Sequence, residues 1–112
     1  MNIANEMKVK EANEFCRKNG VVMRIILTLF PRGFFTMDEL LNALAAYKDM
    51  SIEDVLSAVD YFADKGYIGV RLIANKESVL PCDYDADEFE MRVRAEGVLV
   101  GKNLTEDIGI EL

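Results

Sequence analysis

Three aspartates at alternate positions, Asp83, Asp85 and Asp87, are spaced like the first ligands of a calcium loop. Such a loop also needs glycine at its sixth position and glutamate at its twelfth. Glu88 and Arg94 stand there instead, so no calcium site is expected and the segment reads as a flexible, charged tip whose entry Pro81 helps to set. The chain has two cysteines and no histidine. Cys16 falls at an apolar position of a helical pattern, and the charge of Asp83 beside Cys82 disfavours a thiolate. Without histidine there is no Ser-His or Cys-His pair and no common zinc ligand set. These residues predict a protein that is not an enzyme and that needs no metal or cofactor.

The charged residues that could bind rather than react are distributed unevenly. The net charge of −7 disfavours general attraction to phosphate backbones. Residues 51–65 set Glu53, Asp54, Asp60 and Asp64 against Lys65 alone. Residues 74–88 set Glu77, Asp83, Asp85, Asp87 and Glu88 against Lys76. These segments, at −3 and −4, hold the whole excess. Residues 1–33 are basic instead: Lys8, Lys10, Arg17, Lys18, Arg24 and Arg32 outnumber Glu6, Glu11 and Glu14.

The elements that carry these charges follow from periodicity. Ile3, Met7, Ala12, Phe15 and Cys16 recur at steps that suit a helix over 2–18 with a narrow buried stripe. Asn19-Gly20 reads as a stop or kink. The apolar run 21–30, closed by Pro31, predicts a buried central helix, and Phe34-Phe35-Thr36 a brief strand. Thr36 and Glu39 form a capping box for a helix over 37–47 with the stripe Leu40, Leu41, Leu44 and Tyr47. Ser51 caps the next helix, with Glu53 and Asp54 in its first turn. Its stripe is Ile52, Val55, Leu56, Val59, Phe62 and Ala63, and Gly66 supplies its left-handed end.

Beyond Gly66 the period falls to two. Ile68, Val70 and Leu72 alternate with Gly69 and Arg71, and Phe89, Met91 and Val93 with Glu90, Arg92 and Arg94. Two such runs predict an antiparallel hairpin with one face on the core. A helical turn is expected at 95–100 and an extended, partly frayed tail over 101–112. An apolar fraction of 51% fits one domain spanning 1–112. The longest apolar run, 25–30, is far short of a bilayer span, and the first ten residues lack a leader's apolar stretch. No membrane association is expected, and a cytoplasmic location with reduced thiols is.

Helix, short strand, helix, tight turn, helix and hairpin is the element order of a winged helix. The run Val55-Leu56-Ser57-Ala58-Val59-Asp60-Tyr61-Phe62-Ala63-Asp64-Lys65-Gly66-Tyr67-Ile68 resembles the recognition-helix-to-wing junction of bacterial winged-helix proteins. Val93-Arg94-Ala95-Glu96-Gly97-Val98 resembles the segment after the wing. The whole chain is similar to small winged-helix proteins of bacterial prophages and other mobile elements, whose tails carry a short acidic segment like Glu106-Asp107-Ile108-Gly109-Ile110. The expected fold is therefore α+β: a winged helix-turn-helix, with a three-helix core, a β-hairpin wing and an extra N-terminal helix.

The resemblance implies a DNA-binding transcription regulator whose third helix enters the major groove. That role calls for Arg, Lys, Asn or Gln on the exposed face of 51–65, where Glu53, Asp54, Ser57, Asp60, Tyr61 and Asp64 stand. Those six residues define a candidate partner surface, for a basic protein or as a mimic of nucleic-acid charge. The plainer alternative is a solvated acidic face. Nucleic-acid contact is expected elsewhere, at Lys10, Arg17 and Lys18 of the first helix and at Arg92 and Arg94 on the outer face of the last strand. The first helix is also the expected homodimer element, or else simply covers its own core. Two functions stay open: an atypical DNA-binding regulator or accessory factor, and a protein-interaction module using the acidic helix and wing.

Overall fold

A computed structural model describes residues 3–112. Four helices and a three-stranded antiparallel sheet form an α+β fold in the order α1 (Ile3–Leu29), β1 (Phe35–Thr36), α2 (Met37–Ala43), α3 (Ile52–Asp64), β2 (Ile68–Leu72), β3 (Phe89–Val93) and α4 (Ala95–Gly101). Met1 and Asn2, where the expected first helix begins, lie outside the described residues.

The local signals hold where they depend on neighbouring residues. Thr36 and Ser51 both close capping boxes, with Glu39 and Asp54. Gly66 adopts φ +75°, and the amides of Gly66 and Tyr67 donate to the carbonyls of Ala63 and Phe62, the pairing of a Schellman end. Strand β3 is central, between β1 and β2. The register runs from Ile68 opposite Val93 to Leu72 opposite Phe89 without a bulge. Phe89, Met91, Val93, Ile68 and Val70 face inward against Val22, Met23, Ile26, Leu40, Val55, Val59 and Phe62. Each such side chain contributes about 1.5–3 kcal/mol through burial.

Several expectations are corrected. The helices foreseen over 2–18 and 21–30 are one 27-residue helix, which Asn19-Gly20 does not interrupt. Both residues are buried because the C-terminal tail crosses α1 there. The Asn19 side chain donates to the Gly109 carbonyl at 2.9 Å, the Glu111 amide donates to the Cys16 carbonyl, and a Cβ on Gly20 would overlap the Glu111 carbonyl oxygen. The tail is therefore docked rather than frayed, with Ile110 buried. Helix α2 ends at Ala43, a turn early, since Ala45, Ala46, Tyr47 and Lys48 are exposed and offer that turn nothing to bury.

The loop after β2 is also not a free wing tip. Ser78 bridges to Arg71, and the Val79 amide donates to the Val70 carbonyl, so 77–79 folds back along the outer edge of β2. A short 3-10 turn, Pro81–Asp83, follows, and the buried Pro81 anchors the loop near α3. The helical turn expected at 95–100 is present as α4.

The first three turns of α1, residues 3–13, are exposed throughout, including Ile3, Met7 and Val9. This arm gives a long axis of 51 Å and a radius of gyration of 14.3 Å, above the roughly 13 Å of a compact chain of this length. No helix among the described residues is long and apolar enough to cross a membrane.

Candidate functional site

Period-two alternation aims Arg71 outward from β2 and Glu90 and Arg92 outward from β3, with Arg94 just beyond the strand. This face collects more positive charge than the sum over residues 67–94 indicates. Lys76, whose φ is +63°, sits in the turn after β2 and swings its ammonium back to the Glu90 carboxylate at 2.8 Å. Arg71 reaches the same oxygen through Nε at 2.9 Å. The hydrogen bond from Lys76, reinforced by that from Arg71, holds the Glu90 carboxyl below its ordinary range against the opposing effect of burial. One carboxylate thus pairs with two of the four cations.

An aromatic ring completes the face. The Arg71 guanidinium lies 3.4 Å from the centroid of Phe34, and that of Arg92 lies 5.9 Å away. Both are within cation–π range. Between them opens a concavity of about 420 Å³, lined by Phe34, Gly69, Arg71, Lys76, Arg92 and Arg94 among others. Neither Arg92 nor Arg94 has a carboxylate partner among the described residues. Guanidinium groups left without a carboxylate suit phosphate or carboxylate ligands, whose geometry their planar forks match.

The cations expected on α1 do not join this face, although Lys10 and Lys18 line one concavity together. Arg17 pairs with Glu14 at 3.0 Å and with Asp49 at 2.6 Å. Lys18 pairs with Asp54 at 2.9 Å, with both side chains largely covered. Lys10 alone remains exposed, on the wall of a concavity of about 320 Å³ between α1 and α3.

The expected partner surface on α3 is likewise divided. Asp54 accepts from the Ser51 amide as well as from Lys18. Burial pushes its pKa up, but these hydrogen bonds outweigh it and hold the carboxyl low. Tyr61 is not an outward anchor: its hydroxyl donates to Asp107 of the tail at 2.6 Å, and its ring meets Phe15 edge-on at 5.3 Å. Glu53, Ser57 and Asp64 remain exposed. Asp60 is half-buried, and burial followed by repulsion from Asp64 pushes its pKa up. Glu53, Ser57 and Asp60 line a second concavity of about 420 Å³ with Leu56, Pro81, Cys82 and Tyr84. Desolvation and the Asp83 carboxylate raise the Cys82 pKa, as its neighbours predict.

Arg71, Lys76 and Phe34 were not singled out by sequence reasoning. The available signal was alternation: Arg71 shares its period with Gly69, and its face with Glu90 and Arg92 across the register. No family model, curated protein or solved structure matches the chain.

Proposed function

We propose that this chain is a non-enzymatic winged-helix protein that binds DNA, as a cytoplasmic regulator or accessory factor of a mobile element. It would hold the phosphate backbone with the outer face of its sheet instead of reading the major groove with α3. The carrying observation is the convergence of Arg71, Lys76, Arg92 and Arg94 around one concavity, with Glu90 pairing only the first two among the described residues. The element order from α1 through the β2–β3 hairpin supports the winged-helix reading. The exposed acids of α3 argue against major-groove entry, because phosphates would repel them.

The test is binding to a labelled random-sequence duplex as salt is varied. Two to four phosphate contacts give a slope of log affinity on log salt of about −2 to −4. The double variant R92E/R94E should lose binding, and native affinity in that variant would refute the reading. The proposed assembly is a homodimer through the exposed arm of α1, where Ile3, Met7 and Val9 are uncovered.

A second reading is a docking surface for a basic protein, favoured by the concavity in which Glu53 and Asp60 rim the apolar Leu56, Pro81 and Tyr84. Replacing Glu53, Asp60 and Asp64 with Lys should abolish capture of such a partner while leaving duplex binding intact or stronger.

A further inference from the structure

Gly69 is the one outward position of the β2–β3 hairpin without a side chain, and it lies directly opposite Arg92. A glycine inside a strand marks a bulge, a sharp bend or a place where a ligand approaches the backbone closely. Pairing is unbroken on both sides of Gly69, from Ile68–Val93 to Val70–Met91, which excludes a bulge. The stem of Arg94 lies flat across the bare backbone: a Cβ at Gly69 would touch Arg94 Nη1 at 3.6 Å and Cδ at 3.7 Å. The missing side chain therefore keeps the floor of the concavity open beneath the Arg94 stem, and Arg92 and Arg94 both line it. Arg71 and Lys76 are partly neutralised by Glu90, whereas the two arginines beside Gly69 are not.

We propose that the concavity over Gly69 is a discrete seat for one phosphodiester group of a nucleic-acid strand, held by Arg92 and Arg94. Gly69 acts there as a positioning residue for Arg94. This rests on the DNA-binding reading above but says more, because a diffuse basic patch would tolerate a side chain at that position and a seat would not. A valine at position 69 leaves every charge in place, and its high strand propensity favours the fold. It fills the floor and lifts the Arg94 stem off it.

The experiment compares Gly69→Val, Gly69→Ala, Arg94→Ala and R92E/R94E for anisotropy of a short fluorescein-labelled duplex across a salt series, with circular dichroism as the folding control. Gly69→Val should bind about tenfold more weakly at fixed salt, with a salt slope shallower by about one, the signature of one lost phosphate contact. Gly69→Ala, whose Cβ meets Arg94 only at ordinary contact distance, should bind as the native chain does. Native affinity in Gly69→Val with loss in R92E/R94E overturns the seat and leaves the DNA-binding reading standing. Native affinity in all four overturns both. If the valine variant does not fold, Arg94→Ala decides: a loss with a salt slope shallower by about one supports the seat, and native affinity overturns it.

Discussion

The side-chain amide of Asn19, buried inside a 27-residue helix, donates to the backbone carbonyl of Gly109 at 2.9 Å. Around that bond the tail is fixed at several further points. Asp107 accepts from the hydroxyls of Tyr61 and Tyr67 and from the Gly109 amide, and Ile110 joins the core. The tail thereby ties α1, α3 and the start of β2 together.

Gly20→Ala tests this docking through the sign of its effect. In an ordinary helix interior the change stabilises by about 1 kcal/mol. Here the new Cβ would overlap the Glu111 carbonyl, so the expected outcome is destabilisation by about 1–3 kcal/mol, read from urea denaturation. A gain in stability would show that the tail does not rest on α1.

The same contacts give the stability curve two titrating limbs. Burial pushes the Asp107 pKa up, but the hydrogen bonds from Tyr61, Tyr67 and the Gly109 amide outweigh it, and the net shift is downward. With its folded value below the unfolded one of about 3.9, its contribution is present above that pH and lost as pH falls through the folded value. Tyr67 is pushed up to about 12 by burial and by Asp107. Its contribution is complete below the unfolded value of about 10 and lost as pH rises through about 12. Asp107→Asn should flatten the acid limb of the urea midpoint, and Tyr67→Phe should lessen the alkaline one. An acid limb unchanged in Asp107→Asn would assign that limb to other carboxylates.

Reversing the α1 cations should cost stability rather than affinity. Lys18→Glu sets two carboxylates at the largely covered pairing with Asp54 and should destabilise by about 1–3 kcal/mol. Duplex binding by the folded fraction should stay near native, since Lys18 lies away from the sheet concavity. Thermal melts and anisotropy on one sample separate the two effects, and a selective loss of affinity would return α1 to the interface.

Glu90→Gln removes the carboxylate that pairs with Arg71 and Lys76 and releases both cations. Duplex affinity should rise several-fold at low salt, with a slope steeper by about one. Unchanged binding would mean that these two cations do not meet phosphate.

Met7 is more than half exposed on the arm of α1. In the proposed homodimer, Met7→Glu should convert a two-chain light-scattering mass to that of one chain without lowering the melting temperature of the monomer. A one-chain mass for the native protein would remove the dimer.

The caps at Thr36 and Ser51, the end at Gly66 and the switch to period two were legible because each depends on residues three or four apart, or on strict alternation. Asn19-Gly20 was not legible in the same way. The dipeptide suits a helix end and a tail crossing equally, and what decides between them lies 90 residues away. The basic face was half legible. Alternation aimed Arg92 and Arg94 outward, but counting charge along the chain placed Lys76 in a segment of net −4, although a left-handed turn returns it to Glu90. Sums over a segment blend the two faces of a hairpin, and only pairing separates them.

The fold-back of 77–79 bears on how copies of this protein can meet. An open strand edge is a template for lateral growth into mixed or fibrous sheets. Here the Val79 amide and the Ser78 bridge occupy part of the rim of β2, while the opposite rim, β1, is two residues long. Neither side offers a long run of unpaired backbone. Lateral growth of the sheet by strand addition is therefore disfavoured at both rims.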